Sequence, residues 1–248
     1  MATLFCFTST GNSLYVSERI VEKIGGVVAP MNMAAVTCDD DIIGFVFPVY
    51  FWGLPRMVER LITDMRIENT SAYVFAVATY GGMVHGVLGQ VKRLLKPKGI
   101  SLQYGVNLKM VENYIPRYKV NDSEAFRQKI EKNILKITDA IEHRQSNHIQ
   151  PFTILNKLVH RFYPNERSDQ QFSVATTCTG CGTCKKVCSA KNITMKTGRP
   201  EFHHKCEHCL ACVHHCPIQA IDWNQKTRNK DRYRNAGVAL NDLISLNK

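Results

Sequence analysis

Acidic residues are scarce in this chain: 21 Asp and Glu stand against 32 Lys and Arg, a formal charge of +11. That balance would ordinarily point to nucleic acid or another acidic surface as partner. Long apolar runs are also missing. The longest, Ile42 to Pro55, is broken by Pro48 and Gly53 and falls short of the roughly 20 residues a helical span needs. A transmembrane segment is therefore excluded. The opening MATLFCFTSTGNS has no basic stretch and turns polar after Phe7, unlike a secretion signal. A soluble, cytoplasmic protein is expected. The apolar fraction of 44% is ordinary, and 248 residues suffice for one large domain or two modest ones.

Strand and helix signals alternate over the first 115 or so residues. Thr3–Phe7, Ile42–Phe47 and Tyr73–Ala78 are short apolar runs of the kind that form buried strands. Helical patterns follow each of them, at Ser13–Ile24, Leu54–Met65 and Val84–Leu95, and Leu102–Met110 is a further strand candidate. Val27–Val36 is ambiguous and is compatible with a short edge strand. Such alternation implies a doubly wound α/β domain with a parallel sheet. Ser123–His143, apolar at Phe126, Ile130, Ile134, Ile137 and Ile141, is a long helix that closes it. The organisation expected is an α/β domain over 1–145, a connector over 146–175, a cysteine-rich domain over 176–225 and a basic C-terminal tail over 226–248. In the connector, Phe152, Leu155, Leu158, Val159 and Phe162 form a helical stripe flanked by Lys157 and Arg161. A membrane-surface helix has this pattern, but the expectation is that the stripe packs on a domain.

Ten cysteines are many for a reducing compartment, and eight of them lie between Cys178 and Cys216. Clustered thiols inside a cell mean metal more often than disulfides. Cys178, Cys181, Cys184 and Cys188 repeat the spacing of Cys206, Cys209, Cys212 and Cys216. This C-x₂-C-x₂-C-x₃-C run is the bacterial two-cluster pattern, in which the fourth cysteine of each run ligates the other cluster. Cys178, Cys181, Cys184 and Cys216 are thus expected to hold one [4Fe–4S] cluster, and Cys206, Cys209, Cys212 and Cys188 the second. Gly180 and Gly182 let the first loop fold closely around its metal core. Ile193 and Ile221 each fall five residues after a fourth cysteine, extending the repeat. Structural zinc would also use eight thiolates, but zinc sites usually show paired knuckles. Pro217 follows Cys216, whereas Ser189 follows Cys188. The nearby His203, His204, His208, His214 and His215 are not needed as ligands and are read as surface or supporting groups. Cys6, in the first strand, and Cys38, in a polar turn, are read as ordinary free thiols, with Cys6 in the core.

After the first strand, Thr8-Ser9-Thr10-Gly11-Asn12-Ser13 opens directly into a helix. Hydroxyls, a glycine and backbone N–H groups at a helix start make a phosphate cradle. No lysine is present, which excludes a Walker loop. T-x-T-G-x-S resembles the FMN phosphate loop of flavodoxins. That family grips the flavin ring with two further loops, and this chain offers Pro48-Val49-Tyr50-Phe51-Trp52-Gly53 and Thr79-Tyr80-Gly81-Gly82 at the corresponding places. The aromatics at 50–52 and 80 offer flat faces for stacking, although core packing is the alternative. With the cysteine motif, nearly the whole chain resembles the flavodoxin–ferredoxin fusion proteins of anaerobic bacteria and archaea. The resemblance implies a flavodoxin-like sheet of strand order 2-1-3-4-5, a smaller α+β ferredoxin-like domain, FMN and two [4Fe–4S] clusters.

On this reading two oxidised Cys₄ clusters add roughly −4 and a phosphate ester up to about −2, so much of the positive charge is offset. An electron-transfer protein is expected, with acidic redox proteins and not nucleic acid as partners. Three alternatives to a pure carrier deserve naming: a ferredoxin-fed reductase of a quinone, nitro compound or similar acceptor, with Tyr50, Tyr80 or His85 as proton donor; a quite different zinc-stabilised nucleic-acid module using Lys185, Lys186, Arg228, Lys230, Arg232 and Arg234; and a domain whose flavin loops are only core. The loops 8–13, 48–55 and 79–86 contain no Asp or Glu. Neutral surroundings favour the anionic reduced flavin, so its potential should be less negative than in acidic flavodoxins. Residues 232–237, Arg-Tyr-Arg-Asn-Ala-Gly, have no role assignable from sequence.

Overall fold

The computed structural model describes residues 1–33 and 36–247. It divides the chain into two compact units. The first comprises Met1–Phe7, Ser13–Met110 and Asp122–Tyr163; the second comprises Thr8–Asn12, Val111–Asn121 and Pro164 onward.

Seven strands and five helices build the first unit: β1 (Ala2–Cys6), α1 (Asn12–Ile24), β2 (Val27–Pro30), β3 (Thr37–Cys38), β4 (Ile42–Pro48), α2 (Arg56–Asp64), β5 (Arg66–Ile67), β6 (Tyr73–Tyr80), α3 (Val87–Leu95), β7 (Tyr104–Lys109), α4 (Glu124–Glu142) and α5 (Ile154–His160). The sheet runs β2-β1-β4-β6-β7 with every pairing parallel. Leaving aside the two-residue strands β3 and β5, which pair with each other, this is the 2-1-3-4-5 order of a flavodoxin-like α/β fold. The apolar runs produce it for a simple reason. A parallel sheet covered on both faces has no solvent side, and β6 is buried from Tyr73 to Thr79. Gly44 of β4 is required by that packing, because a Cβ there would come within 2.5 Å of Phe75 Cζ and 2.9 Å of Leu4 Cγ.

Element ends differ from the sequence reading where local geometry intervenes. α2 starts at Arg56 because Pro55, at φ −55° and ψ 143°, is its cap. α3 starts at Val87 because Gly86 takes a left-handed conformation just before it. The ambiguous 27–36 stretch supplies edge strand β2, while its residues 34–35 lie outside the described residues. Cys38 is not in a turn: it is buried in β3, paired with β5.

The second unit holds β8 (Phe172–Val174), α6 (Thr183–Lys186), β9 (Ile193–Lys196), β10 (Arg199–Phe202), α7 (Ala211–His214), β11 (Ile221–Trp223) and α8 (Leu240–Leu246). β9 and β10 form one antiparallel ribbon, β8 and β11 another. A repeat with an offset of 28 runs through its backbone. Gly180 and His208, Gly182 and Leu210, and Lys191 and Gln219 are all left-handed, in matching places. α6 and α7 match, as do Ile193 and Ile221 at the starts of β9 and β11. Its core joins Ile193, Leu210, Val213, Ile221 and Trp223 to Cys184, Cys212 and Cys216. Residues 226–247 fold back on this unit: Leu243 is buried, and Asn247 donates from Nδ2 to the Val187 carbonyl at 3.3 Å.

Candidate functional site

The eight cysteines of the two runs all lie in the second unit: two of each run on the loop before α6 or α7, the third within that helix and the fourth just after it. One cavity of about 310 Å3, its mouth included, is lined by Cys178, Cys181, Cys184 and Cys216 together with Met195 and Ile221. Three of its thiols come from the first run and one from the second. Cys188 lies near enough to Cys206, Cys209 and Cys212 for charge on it to raise all three thiols, as charge on Cys184 also raises Cys212. Burial pushes the Cys184 thiol up to about 11 and Cys206 to about 12, and raises Cys209 and Cys212 as well. Thiolates so poorly hydrated call for a cation to replace their protons. Backbone N–H groups point at the sulfurs in matching places, from Asn192 to Cys188 at 3.4 Å and from Ala220 to Cys216 at 3.2 Å, with His208 donating to Cys206 at 3.2 Å.

Zn–S bonds of about 2.3 Å in a tetrahedron bring sulfurs to roughly 3.8 Å from one another. Among the described residues, no three of these cysteine sulfurs lie within 4.8 Å of each other. Four thiols drawn from both runs surround one cavity. His208, His214 and His215 are buried, and His208 packs edge-on against Trp223 at 4.6 Å. His203 and His204 are exposed, the latter paired with buried Asp169 at 2.7 Å. Of the cations weighed for nucleic acid, Arg232 donates to the Thr227 carbonyl and Arg234 to that of His214.

The three loops singled out in the sequence all leave carboxyl ends of neighbouring parallel strands, β1, β4 and β6. In open α/β sheets ligands bind there. Thr8, Ser9, Thr10, Asn12 and Ser13 are all buried. Gly11 N–H donates to Thr8 Oγ1 at 3.2 Å with Gly11 at φ 97°, a tight turn open to glycine. The N–H groups of Ser9, Thr10, Asn12 and Ser13 make no hydrogen bond to the described residues. Buried donors without acceptors at a helix start are what a phosphate would satisfy, so the loop fits that group.

The loop is also clasped by segments the sequence reading did not connect to it. Asn113 donates from Nδ2 to Thr10 Oγ1 at 2.7 Å, and Asn235 N–H donates to the Thr10 carbonyl at 2.8 Å. Asn12 Oδ1 accepts from Tyr233 Oη at 2.8 Å and from Asn235 Nδ2 at 3.1 Å. His215 donates from Nε2 to the Ser9 carbonyl at 3.1 Å. His214 donates from Nε2 to the Asn113 carbonyl and accepts at Nδ1 from Tyr233 N–H. Burial lowers His214 to about 3 and His215 to about 4, so both rings are neutral and their tautomers fixed. The unassigned segment 232–237 is therefore part of the phosphate-loop surroundings. No periodicity or motif could have announced it.

The second loop is a tight hairpin turn. Tyr50 and Gly53 exchange both backbone hydrogen bonds at 3.0 Å, and Phe51 and Trp52 between them sit at φ 48° and 61°. Such turns favour Asn-Gly. Two bulky aromatics in left-handed backbone store strain of roughly 1–3 kcal/mol each, the kind found at functional sites. The turn is braced by α5, whose fully buried Asn156 donates from Nδ2 to the Trp52 and His85 carbonyls. His160 Nδ1 donates to the Tyr50 carbonyl at 3.0 Å, and its ring fills the space a Cβ on Gly53 would need. Tyr163 stacks on Phe51 at 6.1 Å and meets Tyr50 edge-on at 5.5 Å. In the third loop Thr79 Oγ1 pairs with Ser13 Oγ at 2.9 Å, and the Thr79 carbonyl accepts from Val49 N–H at 2.9 Å, tying the loops together. Tyr80 is half-buried at the end of β6, Pro48 ends β4, and Gly81 and Gly82 follow Tyr80. His85 is held by Asn156 Oδ1 at 3.1 Å, which ties up one ring nitrogen of that proposed proton donor.

No family model matches the chain, and neither does any curated protein. Among solved structures it is similar to Megasphaera elsdenii flavodoxin, at 17% identity over 43% of this chain and 85% of that one, with a TM-score of 0.33. It is also similar to the Trp repressor binding protein of Bacillus subtilis (13% identity, 59% and 99% covered, TM-score 0.34). A third is the rubredoxin oxygen:oxidoreductase of Desulfovibrio gigas (15% identity, 58% and 36% covered, TM-score 0.34). No helix among the described residues is long and apolar enough to cross a membrane.

Proposed function

We propose that the chain is an electron-transfer flavoprotein that links one-electron and two-electron redox partners through two [4Fe–4S] clusters and FMN. The observation that carries the reading is that Cys216, the fourth cysteine of the second run, lines one cavity with Cys178, Cys181 and Cys184 of the first. In this reading the clusters pass single electrons and the flavin takes one or two.

The chain's own part is to hold and connect. Cys178, Cys181, Cys184 and Cys216 would hold one cluster, and Cys206, Cys209, Cys212 and Cys188 the other. Thr8–Ser13 would hold the FMN phosphate, with 48–53 and 79–82 against the ring. Cys216 is the chain neighbour of His215, and His215 reaches the Ser9 carbonyl through one hydrogen bond of 3.1 Å. One peptide unit and one hydrogen bond thus join a cluster ligand to the phosphate loop. Neutral His215 keeps that link without placing a cation beside it.

The test is anaerobic reconstitution followed by measurement of iron, sulfide and acid-released flavin. About eight irons, about eight sulfides and one FMN per chain are expected. Stoichiometric zinc in a colourless protein would overturn the cluster reading, and iron without flavin would overturn the flavin half.

A further inference from the structure

The sequence led us to expect the apolar stripe of the connector to pack inward, yet Leu155, Leu158 and Phe162 of that stripe are exposed and only Phe152 and Val159 are half-buried. The polar face of α5 is the buried one: Asn156 is fully buried and bonds the Trp52 and His85 carbonyls, and His160 bonds that of Tyr50. The apolar face is outward, with Ile154 75%, Leu155 52%, Leu158 51% and Phe162 75% exposed. The other large exposed apolar residues of the described chain are scattered, while these four fall within nine positions. The helix cannot roll to hide them without taking the Asn156 donor from the Trp52 and His85 carbonyls, which costs about 1–3 kcal/mol for each group left buried and unpaired; the Tyr50 carbonyl would keep Gly53 N–H. The exposure is thus fixed by the fold.

We propose that this face docks on an anionic lipid bilayer. Lys157 and Arg161, both exposed, flank the stripe, and residues 143–165 contain no Asp or Glu. Long cationic side chains can keep their heads in the headgroup layer while their stems lie along the apolar face. The chain's charge of +11 draws it toward an acidic surface, and it stays positive after the roughly −6 that clusters and a phosphate ester would add. A protein partner would need polar atoms to meet, since protein interfaces carry about one hydrogen bond per 100–200 Å2. The outward face from Ile154 to Phe162 offers only its two cations. Docking is independent of the cofactor assignment and would orient the first unit with α5 against the membrane.

The purified full-length protein should co-sediment with vesicles of phosphatidylcholine and phosphatidylglycerol at low salt, and not with phosphatidylcholine alone. Leu158→Glu with Phe162→Glu should lower the partition at least about tenfold, and Lys157→Glu with Arg161→Glu should remove its dependence on salt and anionic lipid. The altered side chains are exposed, and iron and flavin contents read on the same samples should not change. Absence of binding to anionic vesicles overturns the proposal, as does binding unaltered in the Leu158→Glu, Phe162→Glu variant. A dimer that this variant dissociates, with no vesicle binding in the parent, would overturn it in favour of a second copy of the chain.

Discussion

Exchange of the fourth cysteine between the two runs can be tested by counting iron. Cys216 lines the cavity of Cys178, Cys181 and Cys184, and the spacing pattern leaves Cys188 to complete the set of Cys206, Cys209 and Cys212. The double variant Cys178→Ala, Cys181→Ala leaves two thiols in the first set and should bind about four irons in place of about eight. Adding Cys216→Ala removes a third thiol from a set already dead, so the count should stay at about four. Adding Cys188→Ala strikes the intact set, so the count should fall well below four, toward zero or a three-iron remnant. Each sample would be reconstituted anaerobically and assayed for iron and sulfide, with the visible absorbance spectrum followed for cluster type. If Cys216→Ala removes the remaining iron and Cys188→Ala leaves it, each run holds its own cluster and the crossed assignment is refuted. Zinc bound by all variants alike would refute the cluster reading altogether.

Tyr233→Phe removes the hydroxyl that Asn12 Oδ1 accepts at 2.8 Å, a loss of about 1 kcal/mol or roughly fivefold in affinity if the loop is thereby loosened. Fluorescence titration should show weaker FMN binding and unchanged riboflavin binding; equal effects on both would remove the C-terminal segment from the phosphate site. Gly44→Ala forces a methyl to within 2.5 Å of Phe75 Cζ, and urea unfolding of the first unit should show a loss of about 1–3 kcal/mol. Potentiometry of the flavin should place its fully reduced couple above that of acidic flavodoxins, because loops 8–13, 48–55 and 79–86 carry no Asp or Glu; a strongly negative couple would refute this.

Local rules made much of the first unit legible. Strands β1, β4 and β6 are short apolar runs buried on both faces, and helices α1 to α4 follow their periodicity, so the parallel sheet could be anticipated from residues alone. Cysteine spacing likewise carried the repeat, because three thiols on one tight loop leave the fourth to come from elsewhere. Three things were not legible. Leu210 and His208 adopt left-handed backbone where their counterparts are Gly182 and Gly180; composition alone marks only the glycine half of that symmetry. Residues 232–237 contribute to the loop at residues 8–13 through Tyr233 and Asn235, more than 220 positions away in sequence. The orientation of α5 was misread for a different reason.

A hydrophobic pattern says which side chains share a face; it does not say which face is buried. The usual assumption is that the apolar one is, because about 25 cal/mol per Å2 favours covering it. At α5 a competing term wins. The turn at Phe51 and Trp52 leaves the Trp52 carbonyl without a strand partner, and burying it unpaired would cost about 1–3 kcal/mol. Asn156 supplies that donor, and His160, four residues on and so on the same helix face, adds a second donor to the Tyr50 carbonyl that Gly53 N–H already reaches. Since Leu155, Leu158 and Phe162 fall on the other side, satisfying the strained turn and hiding the stripe are mutually exclusive for a helix this short. The chain keeps the turn, and the exposed stripe follows from that choice.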